Sequence, residues 1–143
     1  MRAHKTRGFT LIELMIVVAI LAIIAVYAYT SYSQYGFRAR RSDGQQYITQ
    51  IAAAEERHFT AVNSYTTAIT TAAPTGLGFA VNTSGRGYYT VTVTLPAGGG
   101  YLITGAPTGS QANDKCGNLS LDSAGTKLPA ATSMPENSNG RCW

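Results

Sequence analysis

The sequence predicts an α+β fold: a long N-terminal α-helix packed on a small antiparallel β-sheet, with a C-terminal loop closed by a disulfide. Three observations predict it. An apolar run from Leu14 to Ala28 passes without a proline into a pattern of three- and four-residue steps that lasts to Val62. Tyr88 to Leu95 alternates apolar side chains with threonines, the period of a strand with one buried face. Cys116 and Cys142, the two cysteines of the chain, bracket a stretch rich in Pro, Asn, Ser and Gly. At 143 residues the chain is too short for two sizeable cores.

Residues 1–8 form a basic leader. Arg2, Lys5 and Arg7 lie in it, so much of the formal charge of +4 belongs there; without them eight basic side chains face seven acidic ones. Global charge is therefore a poor argument for an acidic partner. An excess of Lys and Arg on one side of an apolar span holds that side in the cytoplasm. The expected orientation is N-terminus inside and the remainder outside.

Glu13 stands five residues into the apolar run that opens at Phe9. An acid near the centre of a membrane helix costs roughly 2.5 kcal/mol or more, and less near the interface, so this carboxylate needs a partner or a purpose. Cleavage between Gly8 and Phe9 would create an α-amino cation four positions away, able to neutralise it within a chain or between neighbouring chains. The acid then becomes a docking device.

The leader, the site Gly8-Phe9, Glu13 and the continuation Leu14-Met15-Ile16-Val17-Val18-Ala19 resemble the class III signal of type IV prepilins, the subunits of bacterial type IV pili. That resemblance implies removal of residues 1–8 by a prepilin peptidase, which also N-methylates Phe9, and assembly through Phe9 and Glu13. It implies as partners other pilin subunits, major and minor, and the inner-membrane assembly platform. It further implies an inner-membrane protein with one span and a periplasmic head, extracellular once in the pilus. An ordinary secretory signal offers an alternative, with a cut after Ala28 in Val26-Tyr27-Ala28. Two features count against it: Glu13 would interrupt its apolar core, and the helical pattern runs through the proposed cut.

Residues 9–35 read as the transmembrane and assembly half-helix. Phe9 to Tyr29 spans about 30 Å at helix rise, one membrane's worth. Tyr27, Tyr29, Tyr32 and Tyr35 then cluster where the helix leaves the bilayer, followed by Arg38, Arg40 and Arg41. Those arginines read as a solvated helix face, or as contacts to lipid headgroups or neighbouring subunits. Ala22 and Thr30 stand where the resembled family commonly has glycine and proline. Both changes remove helix breakers, so a continuous helix is expected.

Residues 36–143 read as the head. In residues 36–62 the apolar positions Tyr47, Ile48, Ile51, Ala52, Phe59 and Val62 share one face, and Glu55 is expected at its boundary. Residues 63–87, rich in Thr, Ala, Gly and Pro, read as a connecting loop. Residues 88–122 supply the sheet: Tyr88 to Leu95, Tyr101 to Thr104 after the turn Pro96-Ala97-Gly98-Gly99-Gly100, and Asn118 to Asp122 before the turn Ser123-Ala124-Gly125. In an exported chain the two cysteines read as a disulfide closing residues 116–142, worth about 3 kcal/mol or a little more on the loop-entropy account.

Cys116 to Asp122, Gly125-Thr126-Lys127 and the closing Cys142-Trp143 resemble the end of a pilin subgroup that includes core minor pilins and a DNA-uptake receptor. The function this implies is a structural subunit of the pilus, a low-abundance minor pilin needed for assembly. The alternative is a DNA-binding pilin of natural transformation, with Arg86, Lys115, Lys127 and Arg141 on the phosphates. No cofactor or metal is expected, since His4 and His58 are not at ligand spacing. Nor is an enzyme, because no nucleophile elbow, phosphate loop or paired-carboxylate motif is present.

Overall fold

The computed structural model describes residues 9–129, 142 and 143. The leader with Gly8 and residues 130–141 of the cysteine-closed loop, Arg141 among them, lie outside the described residues. One helix, α1 (Leu11–Val62), is followed by four strands: β1 (Tyr89–Thr94), β2 (Leu102–Pro107), β3 (Leu119–Asp122) and β4 (Lys127–Leu128). A 3₁₀ turn, Gly109–Asn113, sits between β2 and β3. The chain divides into two compact units, one ending at Gly36 and one from Phe37 to Trp143.

Thr10 starts α1: its Oγ1 accepts the Glu13 N–H at 3.3 Å, satisfying one of the orphan donors of the first turn. Helical structure then continues through Ala22, Thr30 and Gly36, as the missing breakers predict. Asn63, at φ 56°, stops it, with its N–H on the Phe59 carbonyl at 2.8 Å. Asparagine tolerates this left-handed position better than most residues.

In the second unit the strands form an antiparallel meander in the order β1-β2-β3-β4. Val91 opposes Gly105, Val93 opposes Ile103, and Ile103 opposes Leu121. Those alternate side chains face Tyr47, Ile48, Ile51 and Ala52 of α1 across one core, which Ile69 and Tyr101 complete. Two glycines set the closeness of the layers. A Cβ on Gly44 would lie 2.6 Å from Tyr89 Cδ2, and one on Gly105 would lie 2.8 Å from Ile48 Cδ1. Each glycine therefore receives the large side chain of the opposite layer.

Several details differ from expectation. Pairing with Tyr89 and Thr90 extends β2 to Pro107, and a hairpin at Asp122 adds β4, too short to show a periodicity. The Asp122 carboxylate accepts the Ala124 and Thr126 N–H groups at 2.9 and 2.7 Å, and Gly125 takes the positive φ of 83°. Leu95 lies beyond the end of β1 and is 46% exposed. Phe59 and Val62 run past the sheet and are 36% and 39% exposed, with Phe59 stacked on Tyr65 at 4.6 Å. Glu55, expected at a boundary, is fully buried.

Candidate functional site

The apolar segment is the first candidate, and its distinction is exposure. Leu11–Ala28 has the length and composition of a membrane span, and none of it is buried. Large apolar side chains from Phe9 to Val26 are 46–80% exposed. At about 1.5–3 kcal/mol for each side chain kept in water, that surface requires lipid or protein. Phe9 and Glu13 lie at the head of this segment, both exposed. Thr10-Leu11-Ile12-Glu13 has the spacing of a capping box, with the Thr10 half of the exchange formed. The carboxylate at the third helical position also meets the positive end of the helix dipole. That T-x-x-E spacing is itself a helix-start signal in the sequence.

At the other end of the chain, Cys116 and Cys142 form the disulfide, with Cα atoms 5.7 Å apart. The arm is fastened from both sides. Gln45 of α1 donates to the Cys142 carbonyl at 2.9 Å, and Trp143 Nε1 donates to the Leu128 carbonyl at 2.5 Å. Beside it lies a buried polar network that sequence reasoning missed. Arg41, expected on a solvated face, is 4% exposed and grips Asp114 with two bonds, Nε to Oδ2 at 2.5 Å and Nη2 to Oδ1 at 2.6 Å. Gln111 donates to Asp114 Oδ2, to the Tyr89 hydroxyl and to the Phe37 carbonyl, and the Cys116 N–H donates to Asp114 Oδ1 at 3.2 Å. The bidentate pair thus ties α1 to the start of the disulfide arm. Arg41 and Asp114 are 73 residues apart, so no local pattern pairs them.

Arg86, Lys115 and Lys127 are exposed. The Arg86 backbone N–H rests on both oxygens of Asp43 at 3.3 Å. Lys127 instead lies over the Trp143 ring, 5.3 Å from its centroid. Both residues border a groove of about 520 Å³ lined by Ser42, Gln45, Gln46, Thr49, Gln50 and Ala53. Asp43 and Gly85 line a second groove, and both grooves share Gln46 and Gln50. Lys127 and the loop bearing Arg86 therefore flank that ridge of α1 from two sides.

Comparison with known proteins bears on all of these features. The family model described as type IV minor pilin ComP, DNA uptake sequence receptor, matches residues 30–120. The chain belongs to the type IV minor pilins. The model of the prokaryotic N-terminal methylation motif matches residues 3–29, which marks the start of this pilin as a prepilin processing signal. Among solved structures, a type IV pilin from Shewanella oneidensis is similar at 31% identity, with a TM-score of 0.51, covering 68% of this chain and 97% of that one. No curated protein matches the chain. Pilins are structural proteins held by an apolar N-terminal helix, and their partners are other pilus components.

Two further groups of the pilin hold its loop. Glu55 Oε2 accepts the Thr66 N–H at 3.2 Å, while Oε1 is buried with no partner among the described residues. Burial pushes the Glu55 carboxyl above its ordinary value, against the pull of Thr66 and of His58. His58 faces the Ser64 and Pro74 carbonyls with its two ring nitrogens, each at 2.8 Å. Among the described residues no group of three or more His, Cys, Asp or Glu side chains is placed to hold a metal ion.

Proposed function

We propose that this pilin is a low-abundance subunit needed for pilus assembly. One observation carries the reading: a membrane-length apolar helix, wholly exposed, stands behind a prepilin processing motif with Glu13 at its head. Prepilin peptidase cuts between Gly8 and Phe9 and methylates Phe9, removing residues 1–8. Residues 9–35 then cross the inner membrane, N-terminus in the cytoplasm, with residues 36–143 as a periplasmic head. On extraction by the assembly platform, Glu13 meets the Phe9 amino group of a neighbouring subunit, major or minor, and the apolar surface is buried among other helices. The protein is a substrate of enzymes and not itself one.

Deleting the chain tests the role. Loss of surface pili, with the protein scarce in sheared filaments, is the expected result; normal piliation overturns it. The mass of the mature protein tests the cut, since Phe9 at the N-terminus adds one methyl group to the expected chain.

The match to a DNA uptake sequence receptor favours a second reading, a pilin that binds DNA during uptake. Arg86, Lys115 and Lys127 are accessible for phosphate contact, with Trp143 beside Lys127 as a stacking surface, and Arg141 is the fourth candidate by sequence. Loss of DNA uptake with normal pili is its signature. Binding of duplex DNA that ignores salt and survives neutralisation of these four residues excludes it.

A further inference from the structure

The charges of the head are polarised. Around residues 37–44 of α1 gather the loop Gly85–Tyr88, the 3₁₀ turn and the residues that follow it. Arg40 Nη1 donates to Ser110 Oγ at 2.8 Å, and its guanidinium carbon lies 5.1 Å from the Tyr88 ring centroid. Asp43 accepts the Arg86 N–H, and Thr108 donates to the carbonyls of Gly87 and Tyr88 at 2.8 and 2.9 Å. This end carries Arg38, Arg40, Arg41, Arg86 and Lys115 against Asp43 and Asp114. Elsewhere among the described residues of the head the charged side chains are Arg57 and Lys127 against Glu55, Glu56 and Asp122. One end is cationic by three charges, and the remainder is anionic by one.

Pairing inside the fold decides which of these charges face water. Arg41 and Asp114 are buried on each other. Asp43 is turned to the backbone of Arg86. Arg38 and Arg86 are exposed, and Arg40 is half-buried. The cationic end is also where the chain arrives from the apolar segment. Arg38 follows Ala28 by ten positions in the sequence, which corresponds to about 15 Å at helix rise. The polar layer adds about 5–8 Å beyond the hydrocarbon. A long arginine side chain and a Debye length of about 8–10 Å cover the rest.

We propose that this cationic end docks on anionic phospholipid headgroups of the bilayer that holds the unassembled subunit. The proposal rests on reading Leu11–Ala28 as the membrane span. A tether of ten residues presents headgroup phosphates to Arg38, Arg40 and Arg86 at a high effective concentration, which free DNA does not have. The dock steadies the head at the membrane surface and is released when the subunit is drawn into the filament.

Hydrogen exchange on the full-length protein in phosphatidylcholine vesicles, with and without phosphatidylglycerol, tests it. Amides of residues 85–88 and 108–115 should exchange more slowly with phosphatidylglycerol present, and high salt should abolish the difference. Arg38→Gln and Arg86→Gln, both exposed, should each reduce that protection about fivefold, as expected for a cation near an anionic surface. Equal exchange in the two lipids, with the protein firmly inserted, overturns the dock and leaves the span intact. Protein that fails to float with vesicles overturns the span, and the dock with it. Protection by added duplex DNA, without any response to phosphatidylglycerol, assigns these cations to DNA and overturns the dock.

Discussion

Asp114→Ala should be the most damaging single change in the head. The carboxylate takes two charge-assisted bonds from Arg41 at 2.5 and 2.6 Å, one from Gln111 at 2.8 Å and one from the Cys116 N–H at 3.2 Å. Removing it strands a guanidinium that is 4% exposed, and breaking a buried pair from one side costs about 3–5 kcal/mol. In a unit of this size one kcal/mol moves the midpoint by roughly 4 °C, so the expected loss is roughly 12–20 °C. Arg41→Met should cost less, because Asp114 keeps Gln111 and the Cys116 N–H. The double variant Arg41→Met, Asp114→Leu should recover much of the loss, since an apolar replacement of the whole pair is often neutral. With Asp114→Leu added as a single variant, thermal and denaturant melts of the parent, Arg41→Met, Asp114→Leu and the double variant form a double-mutant cycle. Additive losses would refute the coupling, and an Asp114→Ala cost below about 1 kcal/mol would refute the burial argument.

Three other outcomes follow from the packing. Glu55→Gln keeps an acceptor for the Thr66 N–H and removes the titration. Because the folded-state pKa of Glu55 is raised, its stability contribution is fully present below the ordinary glutamate range and is lost as pH rises through the raised value. The variant should therefore melt higher than the parent above that window and lose the slope; parallel pH profiles would count against the buried carboxylate. Gly44→Ala should destabilise by up to about 2 kcal/mol in denaturant melts: overpacking against the Tyr89 ring, about 1–3 kcal/mol, outweighs a gain in helix propensity of about 1 kcal/mol. Cys116→Ser with Cys142→Ser should cost about 3.5 kcal/mol for a sequence separation of 26, read as a lower midpoint in urea.

Much of the architecture was legible because its signals are local. Missing breakers foretold a helix unbroken through Ala22 and Thr30, and the alternation of Tyr89, Val91 and Val93 named the buried face of β1. The turn at Ser123-Ala124-Gly125 was visible, while the two-residue strand after it carried no period to read. Phe59 and Val62 share the apolar face by spacing, yet the sheet ends before it can cover them. Extent of cover is set by the partner layer, not by the helix.

The candidate sites divide along the same line. The methylation motif, the membrane-length apolar helix and Glu13 belong to one contiguous segment whose signal is carried by order and spacing, so they were legible in the sequence alone. Arg41 was misread as solvated because its partner lies 73 residues away. Glu55 was misread as a boundary residue because its acceptor role depends on where the loop returns at Thr66. Which arginine is buried, which carboxylate it pairs with and which end of the head is left cationic were decided by tertiary structure alone. The free energy of a charge depends on the groups folded around it, and those groups are distant in the chain.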